Sequence, residues 1–200
     1  MSRLILAVFI LALSACNRGE QQSSDDLKPI VSLPTSTGPI TGLDSAVNGI
    51  MTAYYALHDA LVEADTAASA AAARHLVAVT DSIDTKRLVK DTLALQTIDE
   101  FRGDISAEAI GLAGETTITE QRRAFSMITE NLYPLLQASK FRGHKVYQVE
   151  CPMAFNDNEA ASWLSPRSEV INPYLGKKHP KYAAGMVHCG EVKDSIAFNK

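Results

Sequence analysis

Five soft or borderline metal-ligand side chains of this chain fall within two stretches of five residues. Cys151-Pro152-Met153-Ala154-Phe155 and Met186-Val187-His188-Cys189-Gly190 contain two of the three cysteines, two of the five methionines and one of the five histidines. Thiolate, thioether and imidazole are the ligand types that favour Cu(I), Ag(I) or Zn(II) over Mg(II) or Ca(II). Cys151, Met153, Met186, His188 and Cys189 are therefore a candidate soft-metal site. In a regular strand Cys151 and Met153 share one face, as do Met186 and His188. Cys151 and Cys189 are also a candidate disulfide, and the choice between the two depends on the compartment.

The N-terminus speaks to the compartment. Residues 1–15 combine Arg3, an apolar run from Leu4 to Leu13, and Ser14-Ala15, the pattern of a secretory signal peptide too short to span a bilayer stably. Leu13-Ser14-Ala15-Cys16 resembles the bacterial lipobox, which implies lipidation of Cys16 as the first mature residue. Acyl chains there would hold the protein to a membrane. Asn17 after the cysteine implies, by resemblance to enterobacterial sorting, the outer rather than the inner membrane, facing the periplasm. With Cys16 consumed, the remaining pair is the even number that one disulfide needs in an exported protein.

Residues 16–43 change character: Gln21-Gln22-Ser23-Ser24-Asp25-Asp26 is followed by Pro29, Pro34, Gly38, Pro39 and Gly42. Such a stretch buries too little apolar surface to offset its ordering entropy and reads as a tether, with a reach on the order of 30 Å. The whole chain carries 19 Lys+Arg against 23 Asp+Glu, a net charge of −4. That balance carries no footprint for nucleic acid, and no run of Lys or Arg points to anionic lipid. Its length after the tether suits one domain with a single core.

Residues 44–200 divide into helices and a cap. Asp44 is a plausible N-cap, and Val47, Ile50, Met51, Tyr54, Leu57, His58 and Leu61 recur at three-and-four spacing. His58 sits at the edge of that stripe as a boundary residue rather than a ligand. Asp65 caps a second, alanine-rich helix, and His75 on it is expected to be exposed. A third helical region spans Lys86 to Leu112, with a break expected at Gly103. Thr117-Ile118-Thr119-Glu120 fits a capping box opening a fourth, with Pro134 expected to kink or end it near Asn131 to Tyr133. Arg122-Arg123 reads as a solvated face or a helix-to-helix ion pair. From Val146 to Cys151 the period becomes that of a strand. Ser165-Pro166 reads as a short helix start, Asn172-Pro173-Tyr174 and Gly176 as turns, and Met186 to Val192 as a returning strand. The expected class is mainly α, a four-helix-bundle-like domain with a small C-terminal strand-and-turn cap.

The chain contains no nucleophile elbow, zinc-protease helix, P-loop or Cys-x-x-Cys pair, so no enzyme activity is expected. Cys151-Pro152-Met153, Trp163-Leu164-Ser165, Asn172-Pro173-Tyr174, Gly176, Met186 and Cys189-Gly190-Glu191-Val192 resemble an uncharacterised bacterial family of exported proteins. That domain of unknown function also occurs fused to or beside periplasmic heavy-metal efflux adaptors of the CusB type. The resemblance runs from about Leu43 to Val192. It implies copper or silver handling, with Cys151, Met153, Met186 and Cys189 at the matching positions, Cu(I) or Ag(I) as the ion, and an efflux adaptor or another envelope protein as partner. His188 is an addition to that pattern, and Lys177 to Gly185 is longer than the usual connection. Two functions follow as expectations: a lipid-anchored periplasmic module that binds or presents a soft metal ion, or a disulfide-stapled helical interaction module with no metal role.

Overall fold

A computed structural model describes residues 42–198, so the signal peptide, Cys16 and the tether lie outside the described residues. The order of elements is α1 (Gly42–Val62), α2 (Thr66–Asp81), α3 (Thr85–Leu88), α4 (Thr92–Gly114), α5 (Ile118–Ala138), β1 (Val146–Phe155), β2 (Glu159–Ser165) and β3 (Glu191–Ile196). The chain is mainly α with a small strand cap, as the periodicities predict, and the cap is a three-stranded antiparallel sheet. α1 packs on α2, α2 on α4 and α4 on α5, while α1 and α5 also touch. The bundle thus has four long helices, with α3 as an added single turn. Among the described residues, no helix is long and apolar enough to cross a membrane.

Local capping sets most helix starts. Asp65 accepts the Ala68 N–H at 2.9 Å, Asp91 that of Ala94 at 2.8 Å, and Thr117 that of Glu120 at 3.2 Å. Each satisfies a first-turn amide that has no partner within its own helix. Asp44 does not act this way. α1 begins at Gly42, and the Asp44 carboxylate, 5 % exposed, accepts the Arg142 N–H at 2.9 Å, tying the start of α1 to the segment before β1. Gly103 causes no break, because it lies on an exposed face of α4 where its cost is only about 1 kcal/mol. The interruption falls instead at Val89 to Asp91, where Asp91 restarts the helix. α5 likewise runs through Pro134 to Ala138. The carbonyl deprived of its donor belongs to the exposed residue Glu130, within reach of water.

The sheet has the order β2-β1-β3. β2 is an element the periodicity analysis does not anticipate, and its own N-terminal half is exposed and poorly alternating. β1 and β2 join through a tight turn in which Asn156 and Asp157 hold φ values of 52° and 63°. Asn and Asp tolerate that region better than other non-glycine residues. Ser165 does not start a helix. It is the last residue of β2, paired with Tyr147, and its hydroxyl both accepts from Arg167 N and donates to Arg167 O.

One hydrophobic core runs through helices and cap. Tyr54 of α1 stacks on Phe125 of α5 with centroids 4.8 Å apart, and Tyr174 packs within 5.2 to 6.1 Å of Phe155, Phe125 and Trp163. Buried hydroxyls in this cluster are paired. Tyr54 donates to Thr129 Oγ1 at 2.7 Å, Thr129 donates to Phe125 O, and Tyr54 accepts the Leu164 N–H at 3.1 Å.

His144, between α5 and β1, lies 3.0 Å from the Tyr55 hydroxyl through Nε2, and its buried Nδ1 has no partner. Burial lowers its pKa from 6.5 to about 4. The unfolded chain therefore binds a proton that the folded chain refuses as pH falls from 6.5 towards 4. Stability is full above 6.5 and declines through that window, by about 3 kcal/mol at most. Urea titrations of the wild type and His144→Gln from pH 7 to 4 should show the steeper decline in the wild type. Parallel profiles would refute the assignment.

Candidate functional site

The C-terminal motif assembles around one buried side chain. Asn172 is 0 % exposed, and its Oδ1 accepts the N–H groups of Tyr174 and Leu175 at 2.8 and 2.9 Å. Its Nδ2 donates to Cys189 O at 2.7 Å, and its backbone N–H donates to Val187 O at 2.7 Å. One residue thereby folds its own loop and fastens that loop to the Met186–Cys189 turn. The preceding residue is held from the helical side: buried His58 on α1 donates from Nε2 to Ile171 O at 2.9 Å. His58 is thus a structural tie.

The loop then closes the end of α1. Lys177 N–H donates to Val62 O at 2.8 Å, and Arg122 donates from Nη2 to Leu61 O at 3.1 Å. Both satisfy carbonyls that the last turn of a helix leaves open. Gly176 has φ of 57°, and a Cβ there would stand 2.6 Å from Val62 O. Glycine is the residue type that meets both the backbone conformation and the close approach. Arg122 is 4 % exposed, and burial lowers its pKa from 12.5 to about 10. It is therefore an interior cap on α1, not a solvated face; Arg123, its neighbour, does form an ion pair, with Glu159 at 3.1 Å, and lies over the Phe155 ring.

Five sequence-predicted site residues separate into two groups. Cys151 and Cys189 come together, with Sγ atoms 2.7 Å apart. That is inside the roughly 3.5–4 Å spacing of unbonded heavy atoms and above the ~2.05 Å of an S–S bond. Cys151 is buried on β1, whereas Cys189 is partly exposed. Burial, followed by the hydrogen bond and charge of Cys151, pushes the Cys189 thiol up to about 12. Gly190 permits the approach. Its φ is 141°, and a Cβ would lie 2.8 Å from Trp163 Cη2 and 3.0 Å from Glu150 O.

Of the other three donors, Met153 lies with Cys151 on β1, whereas Met186 and His188 do not follow the expected strand alternation. Met186 to Cys189 is a turn closed by Cys189 N–H to Met186 O at 2.9 Å, and β3 starts only at Glu191. His188 is exposed and spends Nδ1–H on Val170 O at 2.8 Å, leaving Nε2 as its only available donor atom. Met153 and Met186 are half-buried and pack on the core. The β1–β2 register shifts between Cys151 and Phe155, a span that includes exposed Pro152. Proline has no N–H for the ladder, which suits it to such an irregularity. Among the described residues, no three His, Cys, Asp or Glu side chains converge in a metal-binding group.

Fold and site together define a small helical domain whose C-terminal cap is held by buried polar ties and a sulfur pair, in contact with one continuous core. Residues 50–143 match the sequence model of a family described as protein of unknown function (DUF3347). The match covers most of α1 through α5 and ends before β1, so it falls on the helical body rather than on the Cys/Met cap. No curated protein and no solved structure is found to match this chain.

Replacing Asn172 with Ala removes three side-chain hydrogen bonds from a site with no water access and leaves Cys189 O and two N–H groups to find new partners. The expected loss is about 2–4 kcal/mol in chemical denaturation, with the helical circular dichroism retained below the transition. A loss under about 0.5 kcal/mol, the range of ordinary surface substitutions, would contradict the role given to Asn172.

Proposed function

We propose that this chain is a non-enzymatic binding module of the bacterial cell envelope, carried on a lipid at Cys16, whose C-terminal cap is closed by a Cys151–Cys189 disulfide. The observation that carries the reading is the 2.7 Å approach of the two sulfurs while the Nδ1 of His188 is tied to Val170 O. In an exported protein the compartment favours oxidation of a thiol pair this close. The partner on this reading is another envelope protein.

A soft-metal function belongs to the reduced state. There Cys151 and Cys189 would be the ligands for Cu(I) or Ag(I), and the resemblance to domains beside efflux adaptors supports it. Met153 and Met186, half-buried against the core of the same cap, are the side chains that could add to the pair.

Two measurements separate the readings. Closing a loop between positions 38 residues apart is worth about 4 kcal/mol in the chain-entropy model, so reductant or Cys189→Ser should lower the unfolding free energy by about that amount. Cu(I) competition against a chelator should then find the oxidised protein no tighter than Met153→Ala/Met186→Ala. Indifference to reductant, together with Cu(I) affinity that falls in the double variant, would replace the staple with the metal site.

A further inference from the structure

We propose that the end of the bundle where residues 1–41 join the fold is a membrane-contacting surface that takes anionic phospholipid headgroups. Three segments distant in sequence meet there. A Cβ on Gly42, the first residue of α1, would stand 2.9 Å from Leu88 Cδ2, which fixes α3 against the start of α1. The Asp44 carboxylate holds Arg142 N–H, which fixes the α5–β1 connection on the same turn. Lys86, Arg87 and Lys90 flank the α1 terminus from one side, and Lys140, Arg142 and Lys145 from the other; all six are exposed.

The carboxylates at this end are already engaged. Asp84 and Asp91 accept backbone N–H groups as N-caps of α3 and α4, and Asp81 faces Arg102 at 3.7 Å. Among the described residues, none of Lys86, Arg87, Lys90, Lys140 and Arg142 enters an ion pair. At the far end of the bundle, by contrast, charges of both signs are paired or buried: Glu63 pairs with Lys177, and Arg122 is buried against Leu61 O.

Two further features fit lipid. Leu93, in the first turn of α4 and three residues from Lys90, is 73 % exposed, the most exposed large apolar side chain described. An open groove of about 460 Å³ also runs between α1, α2 and α3, with apolar walls from Val79, Ile83 and Leu88 and polar groups from Ser45, Ser82, Asp84 and Arg87. A basic rim around an apolar contact is the composition that binds anionic bilayers, at about 1 kcal/mol per cation near the surface. The chain leading to Cys16 joins α1 at this end. The charge cluster is independent of lipidation.

The test uses the mature chain with Cys16→Ser, which carries no lipid, in co-sedimentation with phosphatidylethanolamine/phosphatidylglycerol vesicles and with phosphatidylcholine vesicles. Binding is expected to the first and not the second, and to fall as salt rises. Lys86→Gln/Arg87→Gln/Lys90→Gln should weaken it by on the order of 100-fold, about fivefold per charge. Leu93→Ser should weaken it further, whereas Lys178→Gln/Lys193→Gln, away from this end, should not. Equal binding to both vesicles, wild-type binding by the triple variant, or no binding at low salt overturns the proposal. Occupation of the groove by residues 17–41 would show as vesicle binding gained when those residues are deleted, and overturns it as well. Lipidation of Cys16 is read separately, from the mass of the N-terminal peptide.

Discussion

The cap depends on the buried Asn172 side chain. A loop that crosses the end of a helical bundle carries backbone N–H and C=O groups into the interior, and each one left unpaired there costs more than an ordinary hydrogen bond returns. Asn172 has both a carbonyl and an amino group, so one side chain satisfies donors at Tyr174 and Leu175 and an acceptor at Cys189. The neighbouring carbonyl of Ile171 goes to His58, and the open carbonyls of α1 go to Lys177 and Arg122. With these groups paired, Tyr174 can enter the aromatic cluster that joins α1, α5 and the sheet.

The same arrangement brings the sulfurs together. Asn172 fixes the carbonyl of Cys189, Gly190 turns the chain over Trp163, and β1 presents Cys151 from the core face. The pair therefore results from ties on either side of it. A metal site would need the remaining donors to converge on the sulfurs as well. His188 is committed elsewhere, and the turn at Met186 to Cys189 removes the alternation that would have grouped imidazole with thioether. Chemistry at this cap starts from two thiols, one buried and one accessible.

Much of the helical body is legible in the sequence because its signals are local. Asp65 and Thr117 lie next to the amides they cap, and the apolar stripe of α1 is read from spacing alone. Long-range partners decide what is not legible. Asp44 looks like an N-cap but serves Arg142, 98 positions away. Arg122 looks solvated but caps a helix 61 positions away. Ser165-Pro166 has the form of a helix start, yet Ser165 is claimed by pairing with Tyr147. β2 escapes the periodicity because Ala160, Ala161 and Ser162 show no contrast, although Asn156-Asp157 holds a usable turn signal. The candidate site divides in the same way. Its residues are found by type, and pairing the cysteines is consistent with the fold, but the alternation assigned to Met186 to Val192 fails because a turn occupies most of that span. The basic end is invisible in sequence because its six cations come in two groups some fifty residues apart, joined only by α1.

The central claim is that the cap on these helices is closed by one covalent sulfur bridge. Intact mass of the chain recovered from the cell envelope, alkylated under denaturing conditions with and without prior reduction, tests it directly. The account predicts no alkylation of Cys151 or Cys189 without reductant, a mass lower by two hydrogens than that of the dithiol, and two added alkyl groups after reduction. Two alkyl groups added without any reductant would contradict it.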